Sequence, residues 1–271
     1  MTIVYATDGS PAAREAGGVL AGLPLTPDDR ITLLAVASRR DAPAVGEVLA
    51  AAREDLAGTR AHVEPMVREG YPDEEILAAC GEIGASLLAV GATGTSGLVR
   101  FGWGSVAARV TRHAPCSVLV ARRGHRPIRQ VILGYDGAPS SRTAATQLLR
   151  FPLPAHPEVL LTIVLPVLDS EAPRREPVWV SPGVDEGSAL RELGELKEAF
   201  LASGRGAETA ILRGYPAARL LEQAEEVRAD LVVVGAHGQS LADRFHRFLL
   251  GSVSEQVARH APCSVLVMRE D

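Results

Sequence analysis

Two short glycine-bearing stretches carry the residue types that hold phosphate groups. The first is Gly91-x-x-Gly94, followed after nine residues by Gly104-Ser105. The second is Gly235-x-x-Gly238, followed after twelve residues by Gly251-Ser252. A glycine has no Cβ, so its backbone approaches a ligand closely and takes positive φ without strain. A helix start offers N–H groups that have no intrahelical partner, and these favour anions. With helices opening at Gly104-Ser105 and Gly251-Ser252, each stretch forms a phosphate cradle. An Asp-Gly pair closes a short apolar run at Asp8 and again at Asp136. Such a carboxylate can accept hydrogen bonds from a ribose. The competing reading is a plain Asp-Gly turn.

The repetition of these stretches reflects a duplication of the whole chain. RHAPCSVLV occurs at 112–120 and returns unchanged at 259–267. LLAVGATG returns as LVVVGAHG, REGYP as LRGYP, and VYATDGSP as ILGYDGAP, always in the same order. Each copy alternates apolar runs with helical signals. Ser10-Pro11 is a helix start, and Pro72-Asp73-Glu74-Glu75 is another with acids in its first turn. The alternation predicts an α/β fold with a parallel sheet and helices on both faces. Two tandem doubly wound domains are expected, 1–126 and 127–271. In such sheets ligands bind beyond the carboxyl ends of the strands. That is where both the Asp-Gly pairs and the Gly-x-x-Gly stretches fall. The second copy carries a proline-rich insertion at 166–188, read as a long surface loop or, alternatively, as a lid or partner-binding segment.

Composition narrows the function classes. In 271 residues, 46% are apolar and 23% charged, enough for two real cores. Net charge is −5, which does not point to nucleic acid as a partner. No apolar run approaches the roughly 18 residues of a membrane helix, and no basic leader precedes the first strand. A cytoplasmic, membrane-free protein is expected. Three cysteines without a C-x-x-C disfavour a disulfide framework or zinc site. Aromatics are only 4%, so the cores rest on Ala, Val and Leu. No Walker lysine, H-E-x-x-H or G-x-S-x-G is present, and no base–nucleophile pair stands out. Gly102-Trp103-Gly104-Ser105-Val106-Ala107 mimics a dinucleotide fingerprint, but no strand immediately precedes it. Smaller features read as structural. His113 and His260 end helices, where a cationic imidazole is mildly favoured, and Cys116 and Cys263 precede core strands. Arg122, Arg123, Arg126 and Arg129 read as a solvated cluster at the junction. His237, Arg100, Arg244 and Arg247 lie in the loop regions, as phosphate contacts or as solvated side chains.

The G-x2-G-x9-G-[ST] spacing, the strand ending in D-G-S and the closing A-P-C-S-V-L-V together resemble the universal stress protein family. The resemblance covers nearly the whole chain, twice. It implies a five-stranded parallel sheet in the order 3-2-1-4-5 per domain, an adenine nucleotide alpha hydrolase-like fold. It further implies ATP as ligand. Carried over, the binding positions are Asp8, Val36, Gly91, Gly94, Gly104, Ser105 and Val106 in the first copy. In the second they are Asp136, Val164, Gly235, Gly238, Gly251, Ser252 and Val253. Mg2+ is expected with the phosphates, since no Walker lysine neutralises them. Family members commonly dimerise through the last strand. Here Ser117–Val120 and Ser264–Val267 are expected to pair within one chain, with a further homodimer open. The first copy is favoured for nucleotide. The second departs by three extra loop residues, and Ser252 stands three before Glu255, a capping-box spacing that assigns it to the helix. Against this, the second copy's LLGSV is closer to the family's usual text than GWGSV. The reading is a nucleotide-binding stress-response regulator. A scaffold of the same fold without nucleotide and a slow ATPase are the alternatives, and no catalytic residue is identified.

Overall fold

The computed structural model describes residues 1–37, 42–94, 103–122, 127–165, 186–237 and 250–270. The first copy runs β1 (Thr2–Ala6), α1 (Pro11–Ala21), β2 (Arg30–Ala37), α2 (Ala42–Asp55), β3 (His62–Glu69), α3 (Pro72–Ile83), β4 (Leu87–Gly91), α4 (Ser105–His113) and β5 (Ser117–Ala121). Local chemistry explains the helix ends. The Ser10 hydroxyl accepts from Ala13 N at 3.2 Å, and Pro11 presets φ at the first helical position. Helix α3 also starts on a proline, carries Asp73, Glu74 and Glu75 in its first turn, and stops at Gly84 with φ +63°. The second copy repeats the plan. It runs β6 (Gln130–Tyr135), α5 (Pro139–Arg150), β7 (Glu158–Leu165), α6 (Glu186–Ala202), β8 (Gly206–Arg213), α7 (Pro216–Glu226), β9 (Leu231–Gly235), α8 (Ser252–His260) and β10 (Ser264–Met268).

The ten strands form one sheet in the order β3-β2-β1-β4-β5-β10-β9-β6-β7-β8. Each half has the expected 3-2-1-4-5 order with parallel strands. The halves join where β5 and β10 pair antiparallel, with Val118 opposite Val267, Leu119 opposite Leu266 and Val120 opposite Val265. This joint is the expected pairing of the last strands. It removes two open edges and, among the described strands, leaves β3 and β8 unpaired on one side.

Side chains alternate across the sheet and build two unlike layers. On one face a single apolar cluster crosses the joint, taking in Ile3, Tyr5, Leu119, Leu266, Leu133 and Phe200. On the other face the core divides in two. Val4, Leu88 and Val118 belong to the first half's cluster, and Ile132, Val232 and Val265 to the second's. Trp103 packs against both.

Arginines, not only strands, tie the halves together. Arg122 follows β5 and its guanidinium donates to Ala258 O at 2.6 Å and Arg259 O at 2.8 Å, at the end of α8. Arg269 follows β10 and donates to Thr111 O at 2.8 Å and Arg112 O at 2.9 Å, at the end of α4. Each cation thus satisfies carbonyls at the negative end of the other half's helix. Burial lowers both guanidinium pKa values from their ordinary range. A guanidinium nonetheless keeps its charge. The expectation that Arg122 is merely solvated is therefore wrong. Its partners lie in the other half, and nothing local in the chain reveals them. Arg123 and Arg126 lie outside the described residues, as does the expected domain boundary. Among the described residues, no helix is long and apolar enough to cross a membrane.

Candidate functional site

Three chain segments meet at the carboxyl end of the first half's strands. Beyond β1, Thr7-Asp8-Gly9-Ser10 makes a tight turn with Gly9 at φ +75°. Asp8 Oδ1 accepts from Ser10 N at 3.0 Å, so the plain turn role of this aspartate is real. Its other oxygen faces the second segment: a Cβ placed on Gly94 would lie 2.9 Å from Asp8 Oδ2. The third segment begins at Gly104, whose N–H donates to Ala92 O at 2.8 Å. Gly104 is the N-cap of α4, and no side chain caps this helix start. Ser105, its first residue, is exposed, and Val106 packs on the first half's cluster. Val36 joins them through register. Ala6 pairs with Leu34, so β2 runs past the end of β1 and brings Val36 level with Asp8.

The second half repeats the arrangement. Asp136 Oδ1 accepts from Ala138 N at 2.9 Å, and Gly137 has φ +75°. Gly251 N donates to Ala236 O at 2.7 Å, and Gly251 is the N-cap of α8. Tyr135 pairs with Ile163, which sets Val164 level with Asp136. Ser252 is exposed and Val253 packs on the second cluster. The capping box is not formed. Ser252 occupies the first helical position, not the cap, and Glu255 pairs with Arg112 of α4 at 2.5 Å. The spacing misleads because a capping box needs its serine one residue earlier, where Gly251 stands. Gly238 and the loop after it lie outside the described residues, as do Arg100, Arg244, Arg247 and the insertion to residue 185.

Comparison with known proteins identifies the repeat. The model of the universal stress protein family matches residues 1–122 and again 127–269. The chain belongs to the universal stress protein family. A universal stress protein of Methanocaldococcus jannaschii is 30% identical over 155 residues, 56% of this chain and 88% of its own. Among solved structures, the universal stress protein of Archaeoglobus fulgidus superposes with a TM-score of 0.73 at 20% identity, covering 100% of this chain and 98% of that one. A universal stress protein structure from Pseudomonas aeruginosa gives 0.64 at 17% identity, covering 99% and 92%. The two structural likenesses concern the fold, and they extend across both halves.

Within this universal stress protein, the glycine ending β4 has a structural reason of its own. A Cβ on Gly91 would lie 2.3 Å from the Ala12 carbonyl carbon, inside the first turn of α1. On Gly235 it would lie 2.8 Å from the Ser140 carbonyl carbon in α5. The missing side chain at each position lets a helix sit on the strand end.

The three cysteine thiols are buried. The Cys116 thiol beside Cys80 and burial push Cys80 up, and burial pushes Cys263 up to about 12. His113 ends α4, and its pKa is lowered rather than raised there. Burial comes first in lowering its pKa, then the charges of Arg112, Arg109 and Arg269. Among the described residues, no group of three His, Cys, Asp or Glu side chains is placed to hold a metal ion.

Proposed function

We propose that each half binds ATP at the carboxyl end of its sheet, and that the protein acts as a nucleotide-binding stress-response regulator. The supporting observation is the meeting, in the first half, of an Asp-Gly turn, Gly94 and a helix start that no side chain caps, with the Asp-Gly turn and the uncapped helix start repeated in the second half. In this reading Asp8 and Asp136 accept from the ribose hydroxyls. The β2 and β7 backbones at Val36 and Val164 flank the base. The phosphates lie against Gly91, Gly94, Gly104, Ser105 and Val106, and against Gly235, Gly238, Gly251, Ser252 and Val253. Backbone N–H groups at a helix start suit an anion in a chain whose net charge is −5. Mg2+ would arrive on the phosphates, held by them, by water and by one protein oxygen such as Ser105 Oγ. When bound, the ion neutralises phosphate charge.

Nucleotide released from denatured protein, followed by titration of the emptied chain with ATP and Mg2+, tests the reading. Two equivalents per chain are expected. A Cβ at Gly104 meets nothing closer than 3.4 Å, so Gly104→Val is expected to fold. Its bulk should block the first cradle and leave one equivalent. A chain that carries no nucleotide and ignores added ATP overturns the proposal. Phosphate release over hours separates binding from slow hydrolysis.

A further inference from the structure

The two cradles differ in the hydroxyls that hold the loop following the fourth strand. In the second half, Ser140 of α5 donates to His237 O. Buried Ser254 of α8 donates to Gly235 O at 2.6 Å. The two helices cover opposite faces of the sheet: Ala144 and Leu148 of α5 join the continuous cluster, and Val257 and Ala258 of α8 join the divided one. Gly235 and His237 are therefore tied from both sides, in addition to the bond from Gly251 N to Ala236 O. The first half lacks both serines. Ala12 stands where Ser140 would be, and Ala107 where Ser254 would be. Among the described residues, the hydroxyl contact to this loop in the first half is Ser10 Oγ to Thr93 O at 3.5 Å, the long limit of a hydrogen bond.

We infer that Ser140 and Ser254 are positioning residues that make the second half the tighter of the two nucleotide sites. The inference rests on reading both cradles as nucleotide sites. Backbone at Gly235–His237 that is fixed before the ligand arrives loses less freedom on binding, and that saving appears as affinity. A net hydrogen bond corresponds to about a two- to tenfold change in an equilibrium constant. This reverses the preference for the first copy that the extra loop residues suggest. It also gives Ser254, in the first turn of α8, a task that Ser252 does not perform.

Calorimetric titration of the full chain with ATP and Mg2+ decides the matter. The wild type should show two classes of site with different Kd. Ser254→Ala and Ser140→Ala should each weaken the tight class about two- to tenfold and leave the weak class unchanged. Ser140→Thr keeps the hydroxyl and should restore tight binding. Ala107→Ser installs the missing hydroxyl in the first half and should strengthen the weak class. Amide exchange in the ligand-free chain should quicken at Ala236 and His237 in the alanine variants. Thermal midpoints verify folding, and an equal loss in both classes overturns the inference. Tight binding that ignores both serines overturns the inference alone. A wild type that binds no ATP overturns the proposed function and this inference together.

Discussion

At the scale of single residues, the strand-end glycines show how one residue type serves two masters. Gly91 sits in a signature that reads as ligand approach, and a Cβ there would strike the backbone of α1 at 2.3 Å. Gly91→Ala should therefore lower the thermal midpoint whether or not nucleotide is present, with a cost of about 1–3 kcal/mol. Gly235→Ala, whose nearest contact is 2.8 Å, should cost less. Melting curves of the two variants side by side check the order. The sequence locates these glycines but not the packing reason, because the atoms they make room for come from a distant turn. Tyr5 offers a second test. It is fully buried, its hydroxyl donates to Ala13 O at 2.8 Å, and burial raises its pKa from 10.0 to about 12. The folded state thus holds this proton more tightly than the unfolded one. Its contribution is complete below pH 10 and is lost as pH rises from there through about 12. The amount is on the order of 2–3 kcal/mol. Urea midpoints between pH 8 and 11 should fall, and the fall should shrink in Tyr5→Phe. Tyr135, also raised to about 12, and the buried thiols of Cys80 and Cys263, likewise raised, contribute to what remains.

At the scale of elements, the order of strands and helices was legible because each start is written locally. Ser10-Pro11 and Pro72 with its three acids need no tertiary context to open a helix. The partner of the last strand was legible only through the family resemblance, which implies pairing through that strand, and the duplication places both strands in one chain. What crosses the joint was not legible. Arg122 and Arg269 each follow a last strand, and only the folded sheet shows that each reaches the other half's helix. Arg269→Met should destabilise by about 2–4 kcal/mol, because carbonyls at the end of α4 lose a charged donor in a buried place. Arg112→Ala, which removes the ion pair to Glu255 at a partly exposed site, should cost at most about 1 kcal/mol. Denaturant unfolding of both variants tests this ranking. The Ser252–Glu255 spacing failed for a related reason. A cap is defined by backbone geometry, and Gly251 holds that place.

At the scale of the whole molecule, the continuous cluster on one face makes the halves a single cooperative body. One unfolding transition is expected, coincident by fluorescence and circular dichroism. A chain cut to residues 1–122 exposes the β5 edge and should self-associate, as sedimentation would reveal. The antiparallel joint has one more effect. Strands within a half are parallel, so their carboxyl ends point to one margin of the sheet in the first half and to the opposite margin in the second. The two Asp-Gly turns therefore stand at opposite poles. Charge gathered at one pole is separated from charge gathered at the other by the length of the strands, so salt screens their repulsion. A divalent partner would string such molecules into a chain rather than clasp one of them.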